Sequence, residues 1–315
     1  MSAPAWGEAE HLGFIKRRPP SDALARLVAT IEPGGSVGAV RRLKGGIATA
    51  THRLDIVGPG GDTRSVVIRR FPTASRWFSV KGIEAEATTL ELLATTPVPA
   101  PEVVLIDIDA SILDAPALVL SLLPGRGLPV TSEPFFVRGM AEAMAAVHLQ
   151  RAAHAPSDWM TPWRQKAPEG IPPLMAEVWE AMVGCAPVLE AAPQVLTHHD
   201  LHPGNTLWHR RRLTGVVDWG AASWGSALED LAYCRLDLAL QLGLDAADDL
   251  SDAYALASGA DLRELPAWDL VASTRAIGVT QQWMLGYHDL GARHLTVEHL
   301  DANLDAFVRR AIASV

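Results

Sequence analysis

His198-His199-Asp200-Leu201-His202-Pro203-Gly204-Asn205, followed after a short apolar stretch by Asp218-Trp219-Gly220, decides the reading of this 315-residue chain. The run H-x-D-L-x-x-x-N, then D-[aromatic]-G, is a two-part phosphoryl-transfer signature. Phosphoryl transfer spreads negative charge over phosphate oxygens and is catalysed mainly by positioning and by metal ions. In this pattern Asp200 accepts the proton of an attacking hydroxyl, while Asn205 and Asp218 supply the hard oxygen ligands that Mg2+ requires. Pro203-Gly204 places the Asp200 to Asn205 segment in a loop. Val195-Leu196-Thr197 before it and Leu213 to Val217 after it read as short strands, so each aspartate follows a strand.

Working outward, the neighbouring histidines His198, His199, His202 and His209 raise the question of zinc. Motifs of the H-E-x-x-H kind need two histidines on one helical face with a glutamate between them, and Pro203-Gly204 would break such a helix. His198 is therefore expected to pack under the loop and hydrogen-bond backbone; the others receive no role from the sequence.

The second half of the chain is mostly helical by periodicity, over Phe135 to Leu149, Pro173 to Glu190, Leu228 to Leu242, Pro266 to Tyr287 and Thr296 to Ala313. The first half differs. Ser21-Asp22 opens a short amphipathic helix, and from Val37 to Arg70 alternating runs broken by glycine turns predict three antiparallel strands. A helix follows from about Lys81 to Ala94, then strands near Val103 to Asp107 and Ala117 to Leu123. The expected class is α+β: a small antiparallel β-rich lobe over 1–123 that binds nucleotide, Pro124-Gly125-Arg126-Gly127 as a hinge, and a larger, mainly helical lobe over 124–315 that carries catalysis and substrate binding, in a two-lobed protein kinase-like fold.

A nucleotide site of this kind needs a cation on the phosphates, usually the lysine of V-A-I-K on the third strand. The chain has four lysines, Lys16, Lys44, Lys81 and Lys166, none at that position; Val66-Val67-Ile68-Arg69 places an arginine there. Arginine is always charged and binds phosphate oxygens bidentately, so Arg69 is the expected clamp; Arg70, next along a strand, faces the other way. Glu86, which opens E-x-x-x-L-x-x-L with Leu90 and Leu93, is the expected partner of Arg69. Gly45 and Gly46 form the candidate phosphate-covering turn, and backbone groups from Ser121 to Leu123 the candidate adenine contacts. No G-x-x-x-x-G-K-[ST] occurs, which removes a P-loop ATPase.

The segments His198 to Asn205, Val216 to Gly220 and Leu228-Glu229-Asp230-Leu231-Ala232 resemble the aminoglycoside phosphotransferase and choline kinase-like family, whose run commonly reads H-G-D-L-H-P-G-N, then I-D-W, then D-L-A. His199 departs from the usual glycine, and Thr49 from the asparagine or serine often found in the glycine turn. The resemblance implies transfer of the γ-phosphoryl group of ATP or GTP, with Mg2+, to a hydroxyl of an aminoglycoside, macrolide, amino sugar or amino alcohol. It also implies that Asp230 braces the catalytic loop by accepting backbone hydrogen bonds. Only about ten residues separate Gly220 from the next helix and no A-P-E follows, so nothing is left to hold a protein substrate. Trp159, Trp163, Trp268, Trp283, Asp237 and Asp289 are candidates for an acceptor pocket. A non-catalytic kinase-like protein that binds a nucleotide or a partner is the alternative, supported by arginine in the lysine position.

The net charge of −9 argues against non-specific nucleic-acid binding and permits a cationic acceptor. No run approaches eighteen apolar residues and Met1 to Pro20 lacks the apolar core of a signal peptide, so no membrane partner and a cytoplasmic location are expected. Cys185 and Cys234 form no C-x-x-C and are expected to be buried thiols.

Overall fold

The computed structural model describes residues 8–43, 49–73, 79–150 and 162–315. The chain divides into two compact units, one of residues 1–95 with 100–123, the other of residues 96–99 with 124–315.

In the first unit, α1 (Glu8–Lys16) and α2 (Ser21–Ile31) precede β1 (Ser36–Arg42), β2 (Ala50–Val57) and β3 (Thr63–Arg70); α3 (Val80–Leu93), β4 (Val103–Asp107) and β5 (Ala117–Ser121) follow. The strands form one antiparallel sheet in the order β1-β2-β3-β5-β4. Because strand side chains alternate between faces, Leu54 and Ile56 of β2 and Val66 and Ile68 of β3 share one face. They bury against Leu24, Leu27 and Val28, the helical stripe of α2. Each such side chain contributes about 1.5–3 kcal/mol on burial. β3 lies inside the sheet, between β2 and β5, so its polar residues cannot escape to an edge. Arg70, fully buried on the α2 face, donates to both Asp114 carboxylate oxygens at 2.7 and 2.8 Å and to the Arg17 carbonyl. Arg69 points to the opposite face, as strand alternation requires.

The second unit contains α4 (Pro134–His148), α5 (Pro173–Gly184), α6 (Ala186–Ala191), β6 (Gln194–Thr197), β7 (Thr206–His209), β8 (Arg212–Val216), β9 (Ser223–Ser226), α7 (Ala227–Leu242), α8 (Leu244–Ser258), α9 (Leu265–Ser273), α10 (Thr280–Asp289) and α11 (Val297–Ala313). α7, buried along nearly its whole length, is the axis on which α8, α9 and α11 pack. Two small antiparallel ribbons, β6 with β9 and β7 with β8, carry the loops of interest. The β7–β8 ribbon is seated on α4 by Trp208, whose ring stacks on Phe136 at 4.7 Å between centroids. This seat requires Gly139, where an added Cβ would come within 2.7 Å of the Trp208 ring. Gly125 likewise adopts φ +113° at a point where a Cβ would lie 2.8 Å from the Trp208 carbonyl oxygen, which leaves only glycine.

Two helices expected to be continuous are interrupted. Pro173 to Glu190 is α5 and α6, parted at Cys185, because Pro187 is tolerated only in the first turn of a helix and so forces a restart. Pro266 to Tyr287 is α9 and α10, parted over 274–279, where Gly278 takes φ +84°. Cys234 is buried as expected, whereas Cys185, at the first of these breaks, is only half-buried; both are free thiols. No helix among the described residues is long and apolar enough to cross a membrane.

Candidate active site

The loop after β6 is held from below by one carboxylate. Asp230, in the first turn of α7, accepts the backbone N–H of His198 at 2.7 Å and of His199 at 2.6 Å, and also His148 Nε2 at 3.2 Å. His148 in turn meets the Tyr254 hydroxyl at 2.7 Å through Nδ1. Burial raises the energy of the Asp230 anion, but the hydrogen bond and charge of His148, with His199 and His198 behind it, outweigh that and hold its pKa at about 2. The brace is therefore ionised throughout the physiological range.

His198 is fully buried, its Nε2 3.0 Å from the Val217 carbonyl and its Nδ1 accepting the Asp200 N–H at 3.3 Å. One nitrogen accepting while the other donates is the pattern of neutral imidazole. Burial also pushes its pKa down, against the pull of Asp230, Asp200 and Asp218. The ring lies 4.5 Å from that of Trp219, whose indole N–H is anchored on the Val216 carbonyl at 2.9 Å. His198 is thus the packing and hydrogen-bonding residue expected, and it sits where the fields of three aspartates meet. His202 is equally accounted for, its Nδ1 accepting the Gly204 N–H at 3.2 Å at the start of a single 3-10 turn. Among the described residues, no group of three or more His, Cys, Asp or Glu is placed so as to hold a metal ion.

Asp200, Asn205 and Asp218 are brought together by main chain as well as side chain. Asn205 Nδ2 donates to the Asp200 carbonyl at 2.9 Å and to its carboxylate Oδ2 at 3.1 Å. The Asn205 carbonyl accepts the Val217 N–H at 2.9 Å, which sets Asp218 next to it. Asp218 itself is left-handed, φ 68° and ψ 60°, a conformation that tolerates Asp better than most side chains. With both Nδ2 bonds spent on Asp200, the Asn205 amide oxygen turns away from that carboxylate.

His199, which stands where glycine is common in the resembling family, is also left-handed at φ 59°. Its side chain compensates through Nε2, 2.7 Å from Thr197 Oγ1, and Nδ1, 3.3 Å from Glu229. His199→Ala and His199→Gly lose the same contacts, but only glycine relieves the backbone. The glycine variant is therefore expected to be more stable than the alanine variant by about 1 kcal/mol; equal urea midpoints would contradict this.

Sequence reasoning missed Arg275. Released by the break between α9 and α10, its guanidinium donates to the His199 carbonyl at 2.5 Å and to Asp200 Oδ1 at 3.2 Å. It lies 3.6 Å above the Tyr233 ring of α7. Gly278, inside an otherwise helical pattern, was the one available signal. Of the acceptor-pocket candidates, Trp283 packs edge-on to Tyr233 with centroids 6.0 Å apart, whereas Trp163 and Trp268 form a core pair. Asp237 is buried, accepts the Tyr287 hydroxyl and Gln241 Nε2 at 2.8 Å each, and is pushed up in pKa by burial. It is not displayed to an incoming ligand, whereas Asp289 is exposed. Trp159 lies outside the described residues.

In the first unit, Arg69 and Glu86 form a buried ion pair between β3 and α3, so neither is the solvated surface charge its residue type commonly is. Ser121, at the end of β5, spends its N–H on the Glu102 carbonyl and its hydroxyl on the Glu102 N–H, both at 2.9 Å. Leu123 follows in irregular, half-buried chain, and Gly45 and Gly46 lie outside the described residues.

These two units define a protein of kinase-like fold. A thermostable variant of the aminoglycoside phosphotransferase APH(4)-Ia, in ternary complex with ADP and hygromycin B, has a TM-score of 0.61 at 17% identity over 91% of this chain and 98% of its own. The choline kinase LicA from Streptococcus pneumoniae has a TM-score of 0.61 at 16% identity over 93% of this chain and 98% of its own. The sequence profile of the phosphotransferase enzyme family matches residues 40–269, and the chain belongs to that family. Among curated proteins it is 23% identical over 262 residues to acyl-CoA dehydrogenase family member 10 of Mus musculus, 72% of this chain but 24% of that protein; the chain thus spans about a quarter of that relative's length.

Proposed function

We propose that this protein transfers the γ-phosphoryl group of ATP or GTP to a hydroxyl of a small molecule. The observation that carries the reading is the direct bonding of Asn205 to Asp200, with Asp218 set beside Asn205 by the Val217–Asn205 backbone bond. Asp200 is the base that takes the acceptor's proton. The Asn205 amide oxygen and the Asp218 carboxylate are hard oxygen donors, and two such ligands suit Mg2+, which fills its octahedron with phosphate oxygens and water. When bound, the ion would neutralise charge on the transferring phosphoryl group. Arg69, held by Glu86, is the phosphate clamp of a nucleotide-binding unit over residues 1–123, with Gly45 and Gly46 as the covering turn. Backbone at 122–123 is the better candidate for adenine, since Ser121 is committed to Glu102.

The choice of acceptor is supported by structural relatives whose names include an aminoglycoside phosphotransferase and a choline kinase. An aminoglycoside, macrolide, amino sugar or amino alcohol is the first panel to try. Magnesium-dependent ADP or GDP formation should be stimulated by one class of the panel. Nucleotide binding without stimulation by any alcohol would instead favour a non-catalytic binding protein.

The clamp has its own test. Arg69→Ala should weaken ATP-analogue binding roughly 10- to 100-fold, the loss of one charged hydrogen-bonding group. Arg69→Lys should keep most of the affinity, because lysine carries the same charge to the phosphates. Calorimetric affinities that do not change in Arg69→Ala would remove the assignment.

A further inference from the structure

The residue ahead of the proposed base is gripped through both of its peptide groups. Asp230 takes the N–H of His199, and Arg275 takes its carbonyl while also reaching Asp200 Oδ1. The two grips share one foundation. Asp230 and Tyr233 lie three residues apart on α7, hence on one face of that helix; the first braces the loop and the second is the platform under the Arg275 guanidinium. Tyr233 is itself backed by Trp283 of α10. A planar cation stacked on an aromatic ring with two fixed acceptors has little freedom to leave.

We propose that Arg275 is a positioning residue for phosphoryl transfer: it fixes the rotamer of Asp200 and the His199 peptide so that a carboxylate lone pair faces the acceptor hydroxyl. The proposal rests on the phosphotransferase reading above. A carboxylate offers about four lone-pair sites. Asn205 on Oδ2, Arg275 on Oδ1 and the nearby Tyr233 hydroxyl still leave a lone pair for the acceptor's proton while ending rotation about the side chain. The competing view, a plug that must be displaced before the base can act, does not account for the shorter of the two bonds. That bond goes to main chain rather than to the carboxylate. The side chain of Arg275 is 28% exposed and that of Asp200 31%, so both border the space an acceptor would enter.

The two views differ in sign. In the full chain, Asp200-dependent nucleotide hydrolysis with water as acceptor, and phosphorylation of any acceptor found, are measured for wild type, Arg275→Ala and Arg275→Lys. Nucleotide affinity and Tm are followed alongside. Arg275→Ala should lose roughly 10- to 100-fold in kcat, the scale of a small misplacement of a reacting group, with nucleotide affinity unchanged. Arg275→Lys should recover part of the rate, and guanidinium ion at millimolar concentration should rescue Arg275→Ala but not Asp200→Asn. Tyr233→Leu should reproduce the defect, and Tyr233→Phe, which keeps the platform ring and loses only the hydroxyl beside Asp200, should show a smaller one. A rate that rises or stays level in Arg275→Ala overturns the proposal while leaving phosphoryl transfer standing. So does a defect accompanied by equal loss of nucleotide affinity and Tm that lysine and guanidinium cannot repair. Absence of any Asp200-dependent turnover in the wild type would overturn the phosphotransferase reading, and this proposal with it.

Discussion

Asp200→Asn should abolish acceptor phosphorylation, with kcat falling by roughly 10²- to 10⁴-fold, the range that a positioned general base supplies, and with nucleotide affinity and Tm close to wild type. The substitution preserves shape. An asparagine oxygen at this position can still accept from Asn205 Nδ2, and the Asp200 carbonyl, which takes the shorter of the two Asn205 bonds, is untouched. What disappears is a group able to receive a proton, together with the Oδ1 acceptor of Arg275, whose shorter bond to the His199 carbonyl remains. The brace from Asp230 acts on the backbone of the preceding residues and is also unaffected. Steady-state kinetics with a responsive acceptor, beside calorimetry with a nucleotide analogue, separates the two effects. A variant that kept more than about a tenth of wild-type kcat would assign the proton to another group, since even a modest general base contributes more than that.

The candidate site was legible because its parts lie close in sequence. Asp200, Asn205 and Asp218 fall within one short stretch, and strand, loop and strand between them leave few ways to fold. Arg69 and Glu86 were legible for a different reason: strand alternation and helical spacing each assign a face, and the two faces meet across the β3–α3 packing. Where three-dimensional placement decides, pattern fell short. Asp237 and Trp268 carry residue types suited to an acceptor pocket, yet both are built into the core. α8 was not among the helices expected, and Asp245, Asp248, Asp249 and Asp252 interrupt the apolar pattern of Leu244–Ser258, although Leu250 and Tyr254 bury one face. α1 has almost no amphipathic contrast to detect. The break over 274–279 is the costliest omission. Apolar residues keep helical spacing on both sides of it, and periodicity alone cannot distinguish one helix from two in register. Reading through Gly278 made Arg275 an ordinary helix residue, when its release from the helix is what brings it to Asp200.

Asp230→Ala should lose activity and stability together, which distinguishes the scaffold of the site from its chemistry. Removing the carboxylate leaves the His198 and His199 N–H groups and His148 Nε2 without their shared acceptor in a fully buried place. At about 1–3 kcal/mol for each stranded donor, partly offset by relaxation and water entry, a loss of about 3–5 kcal/mol is expected. Asp230→Asn should fall between, because an amide oxygen can accept one or two of these donors while its own N–H₂ faces others. The pH dependence carries the same signature. A pKa held at about 2 when folded, against 3.8 for the free carboxylate, is depressed by folding, so the unfolded chain binds the proton more readily. Its stabilisation, about 2 kcal/mol from that difference, is fully present above pH 4 and is lost as pH falls through 2. Urea midpoints from pH 7 to pH 2 should decline more steeply for wild type than for Asp230→Asn in the acid range. Parallel curves, or a loss under about 1 kcal/mol in Asp230→Ala, would mean that the loop is held by its packing under Trp219. In that case the order of the catalytic segment would derive from the apolar core and not from one buried anion.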